Sequence, residues 1–297
     1  MNGILPLWKE KGFTSHDCVS KARGILKTKK IGHTGTLDPE VEGVLPLCIG
    51  MATKIVPFLT DTKKVYEAVV TLGAATETED QTGETIQQMP VDPIPEIQEI
   101  DNVLAQFRGG ITQVPPMYSA VKVDGKRLYQ YAREGIEVER PKRTVTIFEL
   151  ERLNDIKKDG DMFSFPIRVS CSKGTYIRTL CVDIGKTLGF PAHMSSLERL
   201  ETGGIKKEEC FTFDEIQKRA DCGQAEELIL PLGRGLNHFQ EFPIEESQRF
   251  AIEHGQVLKK PKDFGTEPVV VTCGGQALAL YQQHPEKHDK IKPIRVF

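Results

Sequence analysis

The stretch with the clearest chemical content reads Lys30-Ile31-Gly32-His33-Thr34-Gly35-Thr36-Leu37-Asp38-Pro39. Gly32 and Gly35 permit a tight backbone path and Pro39 confines Asp38 to extended geometry, so a carboxylate is presented on a stiff loop. That suits a nucleophile. The competing reading is a turn in which Asp38 only hydrogen-bonds backbone. A phosphate-binding loop is excluded, because neither Gly32 nor Gly50 begins G-x-x-x-x-G-K-[ST]. A second candidate is the break Ser172-Lys173-Gly174-Thr175, followed by Tyr176 and Arg178. A third is the run from Pro115 to Val145, where Lys122, Lys126, Arg127, Arg133, Arg140, Lys142 and Arg143 alternate with Tyr118, Tyr129 and Tyr131. An amphipathic hairpin or helix packed on the body would carry the same pattern.

The elements around these residues follow from periodicity. Ser15 to Leu26 is expected to be a helix with Ser15 as N-cap and Val19, Ala22, Ile25 and Leu26 on one stripe. Lys30 to Gly43 reads as loop, leading into the apolar Val44 to Ile49. Lys64 to Leu72 alternates as a strand, and Ile97, Ile100, Val103, Leu104 and Phe107 mark a helix. Phe163, Phe165, Ile167, Val169 and Cys171 form a half-buried strand, and Ile177, Leu180, Cys181, Ile184 and Leu188 stripe the helix after it. Thr175 is the expected N-cap of that helix, which puts Tyr176 and Arg178 in an exposed first turn. The helix dipole disfavours a cation there, so a nearby anion is wanted.

Composition bounds the rest. The 297 residues suffice for one large domain and a small one, and 39% hydrophobic with 27% charged residues is ordinary for a soluble globular chain. No run approaches a membrane span and the N-terminus carries no leader pattern, so a cytoplasmic protein is expected. Seven scattered cysteines form no C-x-x-C pair and read as reduced and mostly buried. The net charge of -3 argues mildly against a nucleic-acid partner, but it hides an asymmetry. Cys18 to Leu37 holds five basic residues (Lys21, Arg23, Lys27, Lys29, Lys30) and no acid, whereas Val65 to Phe107 holds nine acids and no Lys or Arg. A basic face and a plain solvated helix surface explain this split equally well.

Six segments in order resemble the motifs of the TruB family, the bacterial tRNA pseudouridine-55 synthases. They are Gly12-Phe13-Thr14-Ser15, the Asp38 loop, Lys64 to Ala68, Thr76 to Gly83, Pro115 to Ala120 and Cys171 to Leu180. The resemblance implies an α+β fold. It would comprise a catalytic domain over 1–237 with a large mixed or antiparallel sheet, an RNA-gripping insertion about 117–145, and a small β-rich PUA-like domain over 238–297. It implies isomerisation of one uridine in the T arm of tRNA, with the base flipped out and no metal or cofactor. Asp38 would be the essential aspartate, attacking C6 or C1′ or assisting a glycal, and Arg178 its ionic partner. Tyr66 would stack on the base and take part in proton transfer. His33 would fill the space left by extruded bases, and Tyr176 and Leu197 would line the uridine pocket. Lys21, Arg23, Lys29, Lys30, Lys122, Lys126, Arg127 and Arg143 would contact RNA backbone. A monomer is expected. Two rival classes remain: an RNA-folding factor whose catalysis is incidental, and a nucleoside hydrolase using Asp38 and His33.

Overall fold

The computed structural model describes residues 1–297. The first two-thirds of the chain run β1 (Gly3–Lys9), α1 (Ser15–Leu26), β2 (Ile31–His33), β3 (Glu42–Ile49), α2 (Val56–Thr60), β4 (Lys64–Leu72), β5 (Ala74–Thr76), β6 (Thr85–Gln88), α3 (Ile97–Gln106), β7 (Gly109–Gln113), β8 (Lys122–Val123), β9 (Lys126–Arg127), α4 (Leu128–Arg133), β10 (Arg143–Arg152), β11 (Lys157–Asp159), β12 (Met162–Cys171), α5 (Ile177–Thr187) and β13 (Ala192–Thr202). Then come β14 (Ile205–Lys206), α6 (Phe213–Asp221), β15 (Gln240–Pro243), α7 (Glu246–Glu253), β16 (Leu258–Lys259), β17 (Val269–Cys273), β18 (Gln276–Gln283) and β19 (Lys290–Val296). The fold is mixed α/β on a large sheet, and the chain divides into two compact units, one of residues 1–62 with 202–297 and one of residues 63–201.

In the unit of residues 63–201 the strands follow the order β13-β4-β12-β10-β7, and β4/β12, β12/β10 and β10/β7 are antiparallel. The expected strand at Lys64–Leu72 is β4, register-paired so that Tyr66 faces Val169 across the ladder. Phe163, Phe165, Ile167, Val169 and Cys171 all point to a buried face. The apolar stripes of α3 (Ile100, Val103, Leu104) and α5 (Ile177, Leu180, Cys181, Ile184) are buried too, each large side chain worth about 1.5–3 kcal/mol.

In the other unit β1 pairs antiparallel with β3 from Gly3↔Ile49 to Lys9↔Gly43, and β2 pairs with β3. Leu5, Leu7, Val19, Ala22, Leu45, Leu47, Phe213 and Ile216 share one core cluster. From Gln240 onward the chain makes its own curled sheet, β15-β17-β18-β19-β16, in which only the β15/β17 pair is parallel. Val269, Val271, Ala279, Tyr281, Ile252 and Phe264 form its core. Val269 to Thr272 and Ala277 to Tyr281 lie in β17 and β18.

Three local expectations are corrected. The N-cap of α1 is Thr14, whose hydroxyl accepts from Asp17 N (3.0 Å) while the Asp17 carboxylate accepts from Thr14 N (2.9 Å). Ser15 is buried and its hydroxyl is engaged elsewhere. The N-cap of α5 is Tyr176, without a side-chain cap, because the Thr175 hydroxyl turns back to Ser172 O (2.9 Å). Part of the expected loop at Lys30 to Gly43 is β2, and Gly32 lies in that strand; the glycines with left-handed φ are Gly35 (143°) and Gly43 (136°).

Candidate active site

Asp38 belongs to the first unit, on the bend between β2 and β3, and its backbone is fixed from both sides. Ahead of it, the buried Leu37 donates its N–H to Ser15 Oγ (2.9 Å). Thr34, fully buried, donates both its N–H and its hydroxyl to Pro46 O (3.3 Å each). Behind it, Val41 N donates to Asp38 O (3.1 Å). The strongest tie comes from Lys9 at the end of β1, a lysine with no exposed surface. Its Nζ donates to Val41 O (2.6 Å), Pro39 O (3.1 Å) and Glu10 O (3.1 Å), so a buried ammonium gathers two carbonyls of the segment that follows Asp38. The Asp38 side chain stays partly exposed. His33 ends β2 and its Nδ1 accepts from Gly35 N (3.3 Å).

Arg178, Tyr176, Tyr66 and Leu197 belong to the second unit. Arg178 is in the first turn of α5, but the expected exposure is wrong: only 7% of it is accessible. Nη1 donates to Thr78 O (3.0 Å), Nη2 donates to Tyr118 O (3.0 Å), and the Asp80 carboxylate lies 3.5 Å away. The anion that the helix dipole demanded therefore includes Asp80, on the loop between β5 and β6. Asp80 is itself held, accepting from the Thr78 and Thr82 hydroxyls and from Thr82 N (2.9 Å).

Tyr176 is half-buried, and its backbone is clamped at both polar atoms. The buried Gln113 accepts from Tyr176 N (3.0 Å) and donates to Tyr176 O (3.1 Å), while the Arg143 guanidinium sits 5.4 Å from the Tyr176 ring centroid. Tyr66 is 8% exposed on β4, and Leu197 is half-buried on β13. Replacing Gln113 by Leu strips both bonds from a buried helix start. We expect this change to lower stability by about 2–3 kcal/mol, read from the denaturant midpoint; an unchanged midpoint refutes the clamp.

The cations divide similarly. Lys21, Arg23, Lys29 and Lys30 are exposed around α1 and the turn after it, though Lys21 lies over the Phe13 and Phe213 rings and Arg23 donates to Ile31 O (3.3 Å). Lys122, Lys126, Arg127 and Arg143 belong to the second unit. Lys126 pairs with Glu134 and lies over Tyr131, and Arg127 lies over Tyr129. Sequence reasoning missed Lys9, Gln113 and Asp80. Lys9 and Gln113 gave a faint signal, each being a polar residue at the end of a β-rich run, whereas Asp80 lay within a motif already singled out.

A carboxylate on a turn whose backbone is held in one unit and, in the other, a buried guanidinium held by backbone carbonyls beside a strand-to-helix turn are each equipment for an enzyme that works on its substrate with side chains. No group of three or more His, Cys, Asp or Glu is arranged to hold a metal ion, and no helix is long and apolar enough to cross a membrane. Residues 23–177 match the model of the TruB family pseudouridylate synthase N-terminal domain, and residues 178–237 that of the tRNA pseudouridylate synthase B C-terminal domain. The chain is 54% identical to tRNA pseudouridine synthase B of Oceanobacillus iheyensis over 100% of its own length and 98% of the relative's. It is 51% identical to the protein of that name from Bacillus subtilis, over 100% and 97%. A chain of the crystal structure of a Cbf5-Nop10-Gar1 complex superposes with a TM-score of 0.72 at 29% identity, over 99% of this chain and 83% of that one. The chain thus belongs to the TruB family of pseudouridylate synthases, and is an isomerase.

Proposed function

We propose that this enzyme converts uridine 55 in the T arm of tRNA to pseudouridine, with Asp38 as nucleophile and the target base flipped out of its stack. The N1–C1′ bond breaks, the uracil turns while held, and C5 joins C1′; the proton leaving C5 is balanced by one gained at N1. Every atom is conserved, so a carboxylate, a proton acceptor and a pocket suffice. The observation that carries the reading is the fixation of the Asp38 turn by Lys9 and Ser15, within a chain sharing half its residues with relatives named as tRNA pseudouridine synthases.

In this reading Arg178 supplies positive charge, and Tyr66 supplies the stacking face and accepts the C5 proton. Tyr176, Leu197 and His33 shape the space around the nucleotide. One ring stacked on a base is worth about 1–3 kcal/mol, enough to offset much of the few kcal/mol that flipping costs. The protein would act as a cytoplasmic monomer, with 238–297 as a separate PUA-like domain. Derivatisation and primer extension on an unmodified tRNA transcript should give one stop, in the T loop at uridine 55. A stop elsewhere refutes the position, and released uracil refutes the isomerisation.

Lys21, Arg23, Lys29, Lys30, Lys122, Lys126, Arg127 and Arg143 would neutralise phosphates and position the arm without reading its sequence. Replacing both Lys122 and Arg127 by Ala should reduce the slope of log K against log[salt] by roughly 1.4–1.8. An unchanged slope removes these two from the interface.

A further inference from the structure

Glu79 adopts a backbone conformation that side chains avoid, with φ at 64°. Such a residue is strained and persists only where its surroundings impose it. The neighbours on both sides hold Arg178, Thr78 through its carbonyl and Asp80 through its carboxylate. Glu79 holds the next residue of the same helical turn: its carboxylate accepts from Thr179 Oγ1 (2.6 Å). Its main chain is tied as well, N to Thr76 O (3.2 Å) and O from Met194 N (3.0 Å) on β13. The first turn of α5 contains no acidic residue and Tyr176 provides no side-chain cap, so Glu79 brings to that N-terminus the negative charge its own sequence lacks.

We infer that Glu79 is a positioning residue whose ionised carboxylate, acting through Thr179, sets the first turn of α5 and with it the aim of the Arg178 guanidinium. Burial pushes this carboxyl above the ordinary carboxylate range, countered by the Thr179 hydrogen bond and then by Arg178 and Arg140, while Asp183 adds to the rise. The Cys181 thiol on the same helix is pushed far up, chiefly by burial and further by Glu79. Asp80, paired with Arg178, completes the charged surroundings. Because the folded pKa is raised, protonation favours the folded state. That stability is fully present below the ordinary carboxylate pKa and is lost as pH rises through the raised value.

The inference rests on the proposed isomerisation, and Glu79→Gln separates the two. At pH 8 we expect this variant to melt at or above the wild-type temperature. Its kcat on T-arm RNA should fall about tenfold with KM within about twofold, because the substrate's own contacts are untouched. The wild-type kcat should show an acid limb above the ordinary carboxylate range, and Glu79→Gln should lack it. Glu79→Gly, which relieves the left-handed φ, should lose kcat as well. Wild-type kcat in both variants, or a loss of kcat that tracks a fall in melting temperature, overturns the role of Glu79. Failure of the wild-type protein itself to form pseudouridine would instead refute the reaction.

Discussion

Asp38→Asn should reduce pseudouridine formation by at least about 10⁴-fold, the scale on which removing a nucleophile acts. The substitution is informative because the turn is tied through its backbone atoms. Leu37 N, Pro39 O, Val41 O and Asp38 O make the contacts to Ser15, Lys9 and Val41 N. An asparagine of the same shape leaves these in place and removes only the negative charge and its nucleophilicity. Melting temperature measured beside turnover separates a loss of chemistry from a loss of fold. Asp38→Glu keeps the charge but displaces it by one methylene, and it too should lose most of its kcat, because about 1 Å of misplacement costs on the order of 10²-fold. Turnover by Asp38→Asn within tenfold of wild type would refute the assigned chemistry and leave the nucleophile to another group.

What could be read from the sequence were features that repeat along a single element. The alternation of Phe163 to Cys171 and the stripe Ile177, Leu180, Cys181, Ile184 fix a strand and a helix whose observed bounds are Met162–Cys171 and Ile177–Thr187. The C-terminal sheet was legible only as a small β-rich region, because β15, β16 and β19 are short or irregular and their pairing depends on distant partners. At the cap of α1, two adjacent hydroxyls compete. Thr14 wins because Asp17 stands three residues on and completes a reciprocal box, a signal present in the sequence and overlooked. Arg178 was placed correctly in its turn yet wrongly in solvent. Its carbonyl partners, Thr78 and Tyr118, are 100 and 60 residues away, and no local pattern encodes them. Family likeness suggested the role of Asp38, where the residues alone favoured an ordinary turn.

Lys9 obeys the opposite logic, since its chemistry is visible only once the turn has been built. A lysine ordinarily keeps its ammonium in water, and burying one without partners costs several kcal/mol. Here three backbone carbonyls, of Glu10, Pro39 and Val41, accept from it, and the residue is 0% exposed. Lys9→Met fits a similar volume but donates nothing. Pro39 O keeps its bond from Gly12 N (2.9 Å). Glu10 is exposed and water can take over its carbonyl, so the buried Val41 carbonyl carries the cost; at about 1–3 kcal/mol for a buried acceptor left unpaired, we expect a destabilisation of that size and a lower denaturant midpoint. The turn should loosen around Asp38, reducing kcat about tenfold even at temperatures where the variant remains folded. Lys9→Arg should not rescue it, because a planar fork cannot direct single donors to three carbonyls in the space of an ammonium. A Lys9→Met protein with unchanged midpoint and kcat would show that the Asp38 turn is held by Ser15 and Thr34 without the buried charge.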